Sequence, residues 1–420
     1  MMTAPTEPES ALRLGTWIRD KRGYYTPKVR FQPDPFGFSV VANEYIAPDT
    51  TIVTCPFNLA ITKSTAKTAL VALLRSGDTT VLDQWTERQC IASYLVFHRI
   101  LGELDCSSKF SRILQHGPYV EMLPSADKMR TGLHLTPEER ELFKGSNLFG
   151  AIDDREKDCR SEWSECAKVI ASSNSGWAEA FTWELYLTAT THITSRAFPS
   201  TLLSNHPSLQ SSSSTEPVLL PGIDSLNHGR GKAVSWTVSY PTQEVLEKTV
   251  EEPCISLIVH YPVLAGGEVL NNYGAKPNSE LILGYGFSLS ENPEDTILLK
   301  VGGSASDTKR WEIGRSARGM DGLWAEILSL AAQRPDPTYE DQLDASGILS
   351  DMVEALINRL PPGKRDFDPS KVRPDVVKMY QDYIEGQRDI LDSVLRYAKD
   401  KEEEAIERAR EEGVELIFED

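Results

Sequence analysis

The chemistry this chain can offer is concentrated in one segment, Leu220-Pro221-Gly222-Ile223-Asp224-Ser225-Leu226-Asn227-His228-Gly229-Arg230-Gly231. An acid, an amide and an imidazole fall within five residues, framed by Ile223 and Leu226. A carboxylate and a histidine four apart can share one helix face and chelate a metal. Here Gly222 precedes the group and Gly229 and Gly231 follow it, so a helix is interrupted on both sides and no third ligand stands nearby. A metal site is therefore not expected. The plainer reading has Asp224 capping a turn and His228 as a hydrogen-bonded core histidine.

A second stretch, Gly266 to Phe287, carries a comparable density of polar groups. Gly266, Gly267 and Glu268 read as a turn into a short strand that ends at Tyr273-Gly274. Lys276, Pro277 and Asn278 form a loop. Leu281, Leu283, Tyr285 and Phe287 then alternate as in a strand, although Ser279-Glu280 could open a helix. Tyr273 and Tyr285 each stand beside a glycine. Two such phenols are often mere packing, and alone they decide nothing.

The elements that must position these residues can be read from periodicity. Residues 11–23 read as a short helix stopped by Gly23, and residues 29–62 as several short strands with a Pro-Asp turn at Pro48-Asp49. Helical spacing returns over 64–100, and Thr136-Pro137 with Glu139 forms a capping-box helix start. A further helix is expected from Ser175 to about Thr194. Residues 204–217 are serine-rich and read as a surface loop, and 218–287 as strand-rich again. From about Thr308 the pattern is largely helical, ending in a long amphipathic run closed by Gly413. Neither strand-rich piece has enough strands for its own core, so the two are expected to form one β unit interrupted by an insertion.

Composition bounds the rest. A chain of 420 residues with 40% hydrophobic and 25% charged residues has material for two or three globular domains. A formal charge of −18 argues against direct nucleic-acid binding and suits a basic partner. Six cysteines with no CxxC pair predict reduced thiols in the cytoplasm or nucleus, without a thiolate zinc site. The N-terminal residues do not read as a signal peptide, and no apolar run is long enough to span a membrane.

Taken together, the two stretches resemble the SET-domain protein methyltransferases, in the branch similar to Rubisco large-subunit lysine methyltransferase. The family pattern Pro-x-x-Asp-x-x-Asn-His is matched by Pro221, Asp224, Asn227 and His228. Gly267-Glu268, Tyr273-Gly274, Ser279-Glu280-Leu281 and Tyr285-Gly286-Phe287 follow in the family's order. Upstream, Phe36-Gly37-Phe38, Tyr119 through Leu123-Pro124, and Ser195-Arg196-Ala197-Phe198 match further segments, as does Gly386-Gln387 with Ile390-Leu391 near the C-terminus.

The resemblance implies an α+β fold: a SET-type β fold of several small sheets with a knot-like threaded segment, interrupted by a helical insertion at about 64–200, plus an all-α C-terminal domain. Its boundaries would be 1–25 for an N-terminal helix and tail, 26–290 for the SET domain, and 291–420 for a substrate-binding domain. It implies S-adenosyl-L-methionine as cofactor, held by Asn227 and His228. Phe36, Gly37 and Phe38 would lie against it, Arg196 near its carboxylate, and Asp224 as a brace in the same loop. Tyr273 would face the transferred methyl, and Tyr285 would line the acceptor channel. The implied acceptor is a lysine of a protein substrate, basic in character: a ribosomal protein, an elongation factor or a histone. A histidine acceptor, or a silent binding module on the same fold, are the alternatives. Two positions depart from the pattern: Gly229 follows His228 where a small polar residue is more usual, and Ser39 stands where the family usually has the second glycine of Gly-x-Gly, where a residue forced to positive φ would be strained.

Overall fold

The computed structural model describes residues 7–74, 79–103, 110–210, 212–241, 252–301, 309–332, 334–363 and 367–416. Chain contacts group into two compact units, one of residues 1–129 with 156–274 and one of 130–155 with 275–420. Each has its own hydrophobic core.

In the first unit a helix, Glu9–Asp20, precedes four strands: β1 (Tyr24–Tyr25), β2 (Val29–Asp34), β3 (Gly37–Ala42) and β4 (Thr50–Pro56). Four more follow the helical region: β5 (Phe198–Pro199), β6 (Pro217–Val218), β7 (Val234–Ser239) and β8 (Cys254–Val259). They form small sheets, in the order β1-β4-β8-β7, with separate pairs β2-β3 and β5-β6. In β8 the residues Ile255, Leu257 and Val259 are buried at alternate positions, the mark of a strand with one face in the core. β4 pairs antiparallel with β8, so Thr54 lies opposite Ser256 and their hydroxyls are 2.8 Å apart. The two strand-rich stretches are thus one β unit, as their lengths required.

The helical region between them includes Lys63–Leu73, Glu87–Glu103, Asn147–Ser173 and Trp183–Arg196. Thr136 and Glu139 form the expected capping box. Where one helix was expected from Ser175 to Thr194 there are two, Ser175–Ala180 and Trp183–Arg196, each opened by a side-chain cap (Asn174 and Thr182). Cys55, Cys90, Cys159 and Cys166 are buried free thiols, while Cys254 is partly exposed and Cys106 lies outside the described residues.

The second unit is dominated by three helices, Met320–Ala332, Tyr339–Arg359 and Pro374–Glu411. The last buries Val376, Met379, Tyr380, Tyr383, Ile384, Gln387, Ile390, Leu391 and Val394, a three-and-four spacing that gives one apolar stripe. The expectation of an all-α C-terminal part needs correction. Strands β9 (Thr296–Val301) and β10 (Lys309–Gly314) pair antiparallel there and bury Ile297, Leu299 and Ile313. A short apolar run such as Thr296–Val301 carries no periodicity that separates strand from buried helix. The alternation at Leu281, Leu283 and Tyr285 is corrected too: Asn278–Glu280 opens a helical turn, and Leu281–Tyr285 continue it in a widened π-type turn. No described helix is long and apolar enough to cross a membrane.

Candidate active site

Leu220, Ile223 and Leu226 are fully buried in the first unit's core, and they draw the polar residues between them inward. Each such aliphatic side chain contributes roughly 1.5–3 kcal/mol on burial, enough to carry a polar neighbour with it. Asp224 sits in the short turn Ile223–Ser225 with its side chain 1% exposed. The Tyr119 hydroxyl donates to its Oδ2 at 2.6 Å. Arg196 Nη1 donates to its backbone carbonyl at 2.9 Å and stands 3.7 Å from Oδ2. Oδ1 has no hydrogen-bond partner among the described residues. Burial raises the Asp224 carboxyl above its ordinary pKa, against the opposing pull of Arg196 and Tyr119.

Asp224 also lines a narrow pocket, together with Phe31, Phe38, Tyr119, Arg196 and Ser225 among others. A buried acceptor beside a guanidinium and aromatic walls fits a ligand that carries both a donor and an anionic end, because an unmet buried polar atom costs about 1–3 kcal/mol until something satisfies it.

Two distant segments meet next to this pocket. His228 pairs in parallel with Asn271, with the Asn271 amide donating to the Asn227 carbonyl at 2.8 Å and the Gly229 amide to the Asn271 carbonyl at 2.7 Å. This register brings Tyr273 onto His228, ring centroids 5.2 Å apart. The Tyr273 amide donates to His228 Nδ1 at 3.0 Å, and its hydroxyl donates to the Leu226 carbonyl at 2.9 Å. Because Nδ1 accepts, a neutral His228 carries its proton on Nε2. Burial, with Arg230 nearby, lowers the His228 pKa and favours that neutral form. The Tyr273 hydroxyl gives its single proton to Leu226, so its oxygen faces any further group as an acceptor.

The glycine turn of β2-β3 completes the first unit's share. Gly37 has φ 144°, and a Cβ there would stand 3.0 Å from Pro124 Cγ, so glycine is required. Phe38 lines the pocket, whereas Phe36 is half exposed and its amide donates to Asp34 Oδ1 at 2.7 Å. Ser39 lies within β3 opposite Gln32 and is not among the positive-φ residues, so the strain feared for a serine here does not arise. Its hydroxyl donates to Asp34 Oδ2 at 2.7 Å. The Asn227 amide donates to Glu268 Oε1 at 2.8 Å and, at 3.4 Å, to Ser39 Oγ.

Of the residues expected from sequence, Phe38, Arg196 and Asp224 share the pocket, and Asn227, His228 and Tyr273 share one backbone crossing. Tyr285 belongs to the second unit, at the end of its widened turn, with the Lys276 ammonium 5.5 Å from its ring centroid. Burial raises its phenol pKa, with Lys276 opposing. Sequence reasoning missed Asp34 and the partners Tyr119 and Glu268. Tyr119 and Glu268 stood in quoted motifs, but a motif does not say which acceptor a side chain will reach; Asp34 stood in none.

No family model matches the chain. Ribosomal lysine N-methyltransferase set10 of Schizosaccharomyces pombe is 31% identical over 264 residues, covering 63% of this chain and 42% of that protein. Actin-histidine N-methyltransferase of Mus musculus is 22% identical over 275 residues, covering 64% of this chain and 41% of that protein. The chain thus spans about two fifths of the length of the curated relatives it matches most broadly. Among solved structures, the SET domain of LSMT bound to lysine and AdoHcy superposes with a TM-score of 0.73 at 15% identity, over 96% of this chain and 94% of that one. Rubisco LSMT bound to AdoMet gives 0.70 at 16% identity, over 98% of both chains. Small sheets joined across a helical insertion, the crossing of residues 226–229 with 269–273, and these superpositions lead to one statement: the chain has a SET-domain fold of the Rubisco LSMT type.

Proposed function

We propose that this chain is an S-adenosyl-L-methionine-dependent protein methyltransferase that transfers a methyl group to the side-chain amine of lysine. The observation that carries the reading is the meeting of Tyr273 with His228 and Leu226 beside the pocket of Arg196 and Asp224. The donor set fits the cofactor: a guanidinium for a carboxylate, an orphaned buried carboxylate oxygen for a donor group, and an aromatic wall. Arg196, Asn227 and His228, with Phe38 and Gly37 of the glycine turn, would hold it. When bound, this cofactor supplies both the methyl group and the leaving group, so the chain need provide neither nucleophile nor metal.

What the chain must provide is alignment and the right protonation states. Alignment of reacting groups is worth roughly 7–11 kcal/mol in favourable cases. A lysine near pKa ~10.4 must first lose its proton, at about 4–5 kcal/mol at neutral pH, and a desolvated approach lowers that cost. The Tyr273 oxygen, with its proton committed to Leu226, can accept weak C–H···O contacts from a polarised methyl. Tyr285 enters as the proposed lining of the acceptor channel.

Lysine is preferred over histidine because the more similar curated relative, at 31%, is named a ribosomal lysine methyltransferase, whereas the actin-histidine enzymes stand at 22–23%. The substrate is proposed to be a basic protein, a ribosomal protein, elongation factor or histone, in the cytoplasm or nucleus. The test is transfer of a labelled methyl group into a proteome extract, with acid analysis of the labelled residue. Labelled lysine is expected from the wild type, with a loss of 100-fold or more in Tyr273→Phe. Cofactor binding by calorimetry without transfer to any protein would reduce the reading to a silent module.

A further inference from the structure

The hydrogen-bond chain around Asn227 has a direction, and that direction is fixed by its two ends. One end is Asp34, whose Oδ2 accepts from Ser39 Oγ at 2.7 Å. The other is Glu268, whose Oε1 accepts from Asn227 Nδ2 at 2.8 Å. Ionised carboxylates only accept. Ser39 has a single proton and gives it to Asp34, so toward Asn227 its oxygen can only accept as well. The Asn227 side-chain amide is therefore held between two acceptors, and both of its N–H bonds are used on them. Rotating it by half a turn would set its carbonyl oxygen against Glu268 and Ser39, two groups with no proton to offer. The orientation that turns Nδ2 toward both acceptors is therefore the favoured one.

We propose that Ser39 and Glu268, with Asp34 behind Ser39, are positioning residues that lock the Asn227 amide with Oδ1 outward, so that this edge of the site selects a ligand group that donates hydrogen bonds. This rests on the reading of Asn227 as a cofactor contact and adds to it the polarity of what it recognises. Glu268 and Asp34 also place two acidic side chains around the amide, which favours a cationic ligand over a neutral one of the same shape. The sulfonium donor is such a cation, and its demethylated product is not.

Ser39 occupies the position where the family resemblance expects glycine, so the two views of this residue make opposite predictions. If Ser39 were only a tolerated departure, Ser39→Gly would bind the cofactor as well as the wild type or better. If it locks the amide, Ser39→Gly and Ser39→Ala lose the same contact, while Ser39→Thr keeps the hydroxyl and suits a strand. The Ser39–Asn227 contact is the longer of the two, so the effect of losing it should be modest.

Calorimetric titration of the full chain with S-adenosyl-L-methionine and with its demethylated product tests this. Ser39→Ala and Ser39→Gly are expected to weaken binding of S-adenosyl-L-methionine by about threefold to tenfold, with Ser39→Thr near wild type and thermal midpoints unchanged. In an Asn227→Asp background, which has no amide N–H to orient, Ser39→Ala should have no further effect. Glu268→Gln should weaken binding of the sulfonium form more than that of the neutral product. Equal affinity across wild type, Ser39→Gly and Ser39→Ala overturns the lock while leaving the methyltransferase reading intact. A wild-type protein that takes up neither ligand overturns both.

Discussion

At the residue scale, the Asp224 carboxyl shows how an apolar frame creates a polar site. Leu220, Ile223 and Leu226 fix the backbone, and the carboxyl must then find partners where the core leaves it. It finds the Tyr119 hydroxyl for one oxygen and none among the described residues for the other. Tyr119→Phe removes the only side-chain donor among the described residues within hydrogen-bonding distance of Oδ2. Stability measured by urea denaturation is expected to fall by about 1–3 kcal/mol, and cofactor affinity should fall with it as the carboxyl turns toward Arg196. An unchanged denaturation midpoint would mean that water already serves this carboxyl.

At the element scale, a glycine in the C-terminal helix carries a load that helix propensity alone would not assign to it. Gly386 lies in the interior of Pro374–Glu411, where alanine should be favoured by about 1 kcal/mol. A Cβ there would stand 2.3 Å from Asp295 Oδ2. Asp295 in turn accepts from the Asn278 amide at 2.7 Å and lies 3.4 Å from Arg315 Nη2, and burial raises its pKa to about 6. Overpacking of this kind costs about 1–3 kcal/mol before the disturbed hydrogen bonds are counted, so it outweighs the propensity gain. Gly386→Ala is expected to lower the stability of the second unit, read by hydrogen exchange of residues 278–296 and 376–394; faster exchange confined to other segments would contradict it. The same contacts mark the boundary of what the sequence discloses. The union of the two strand-rich stretches in one β unit was legible because neither had strands enough for its own core, and the capping box at Thr136 because its chemistry is local. The turn at Leu281–Tyr285 was not, because Leu281, Leu283 and Tyr285 fit a period of two as well as a helical turn. Strand β9 was hidden for a similar reason. Thr296–Val301 is a short apolar run whose spacing does not separate a strand from a buried helical segment. The candidate site was legible as a set of residues, whereas its wiring through Ser39, Glu268 and Tyr119 depends on distances set by tertiary packing.

At the scale of the whole molecule, titration of buried groups sets the pH range of stability. Burial lowers the pKa of His98 to about 3, and those of His116 and His134 to about 4. His116 is fully buried, with Nδ1 2.5 Å from the Tyr94 hydroxyl. Each ring is neutral in the folded chain and gains a proton more readily once unfolded. The stability they contribute is therefore complete above about pH 6.5 and declines as pH falls from there toward 4 and below. For His116 alone the loss at pH 5 is about 2 kcal/mol. Thermal unfolding is expected to shift downward between pH 7.5 and pH 5, and His116→Gln should flatten that slope. Asp295, with its raised pKa, works in the opposite direction over this interval, so the test is the comparison: a His116→Gln midpoint that falls as steeply as the wild type's would show that this ring titrates normally. Most of the formal charge of −18 falls on residues 130–155 and 275–420, so a basic substrate would be attracted chiefly by the second unit, an attraction that rising salt weakens.

The join between β4 and β8 has a consequence for how the chain comes into being. Thr54 and Ser256 are 202 positions apart, and the strand that Thr54 belongs to has its other neighbour only in two-residue β1. A growing polypeptide must therefore hold Ile52, Val53 and Cys55 in waiting until the ribosome has delivered residue 259. Closing so long a loop is slow, and a sticky edge left open meanwhile invites mispairing. The helices made in between have the length of the insertion in which to form before that edge meets its partner.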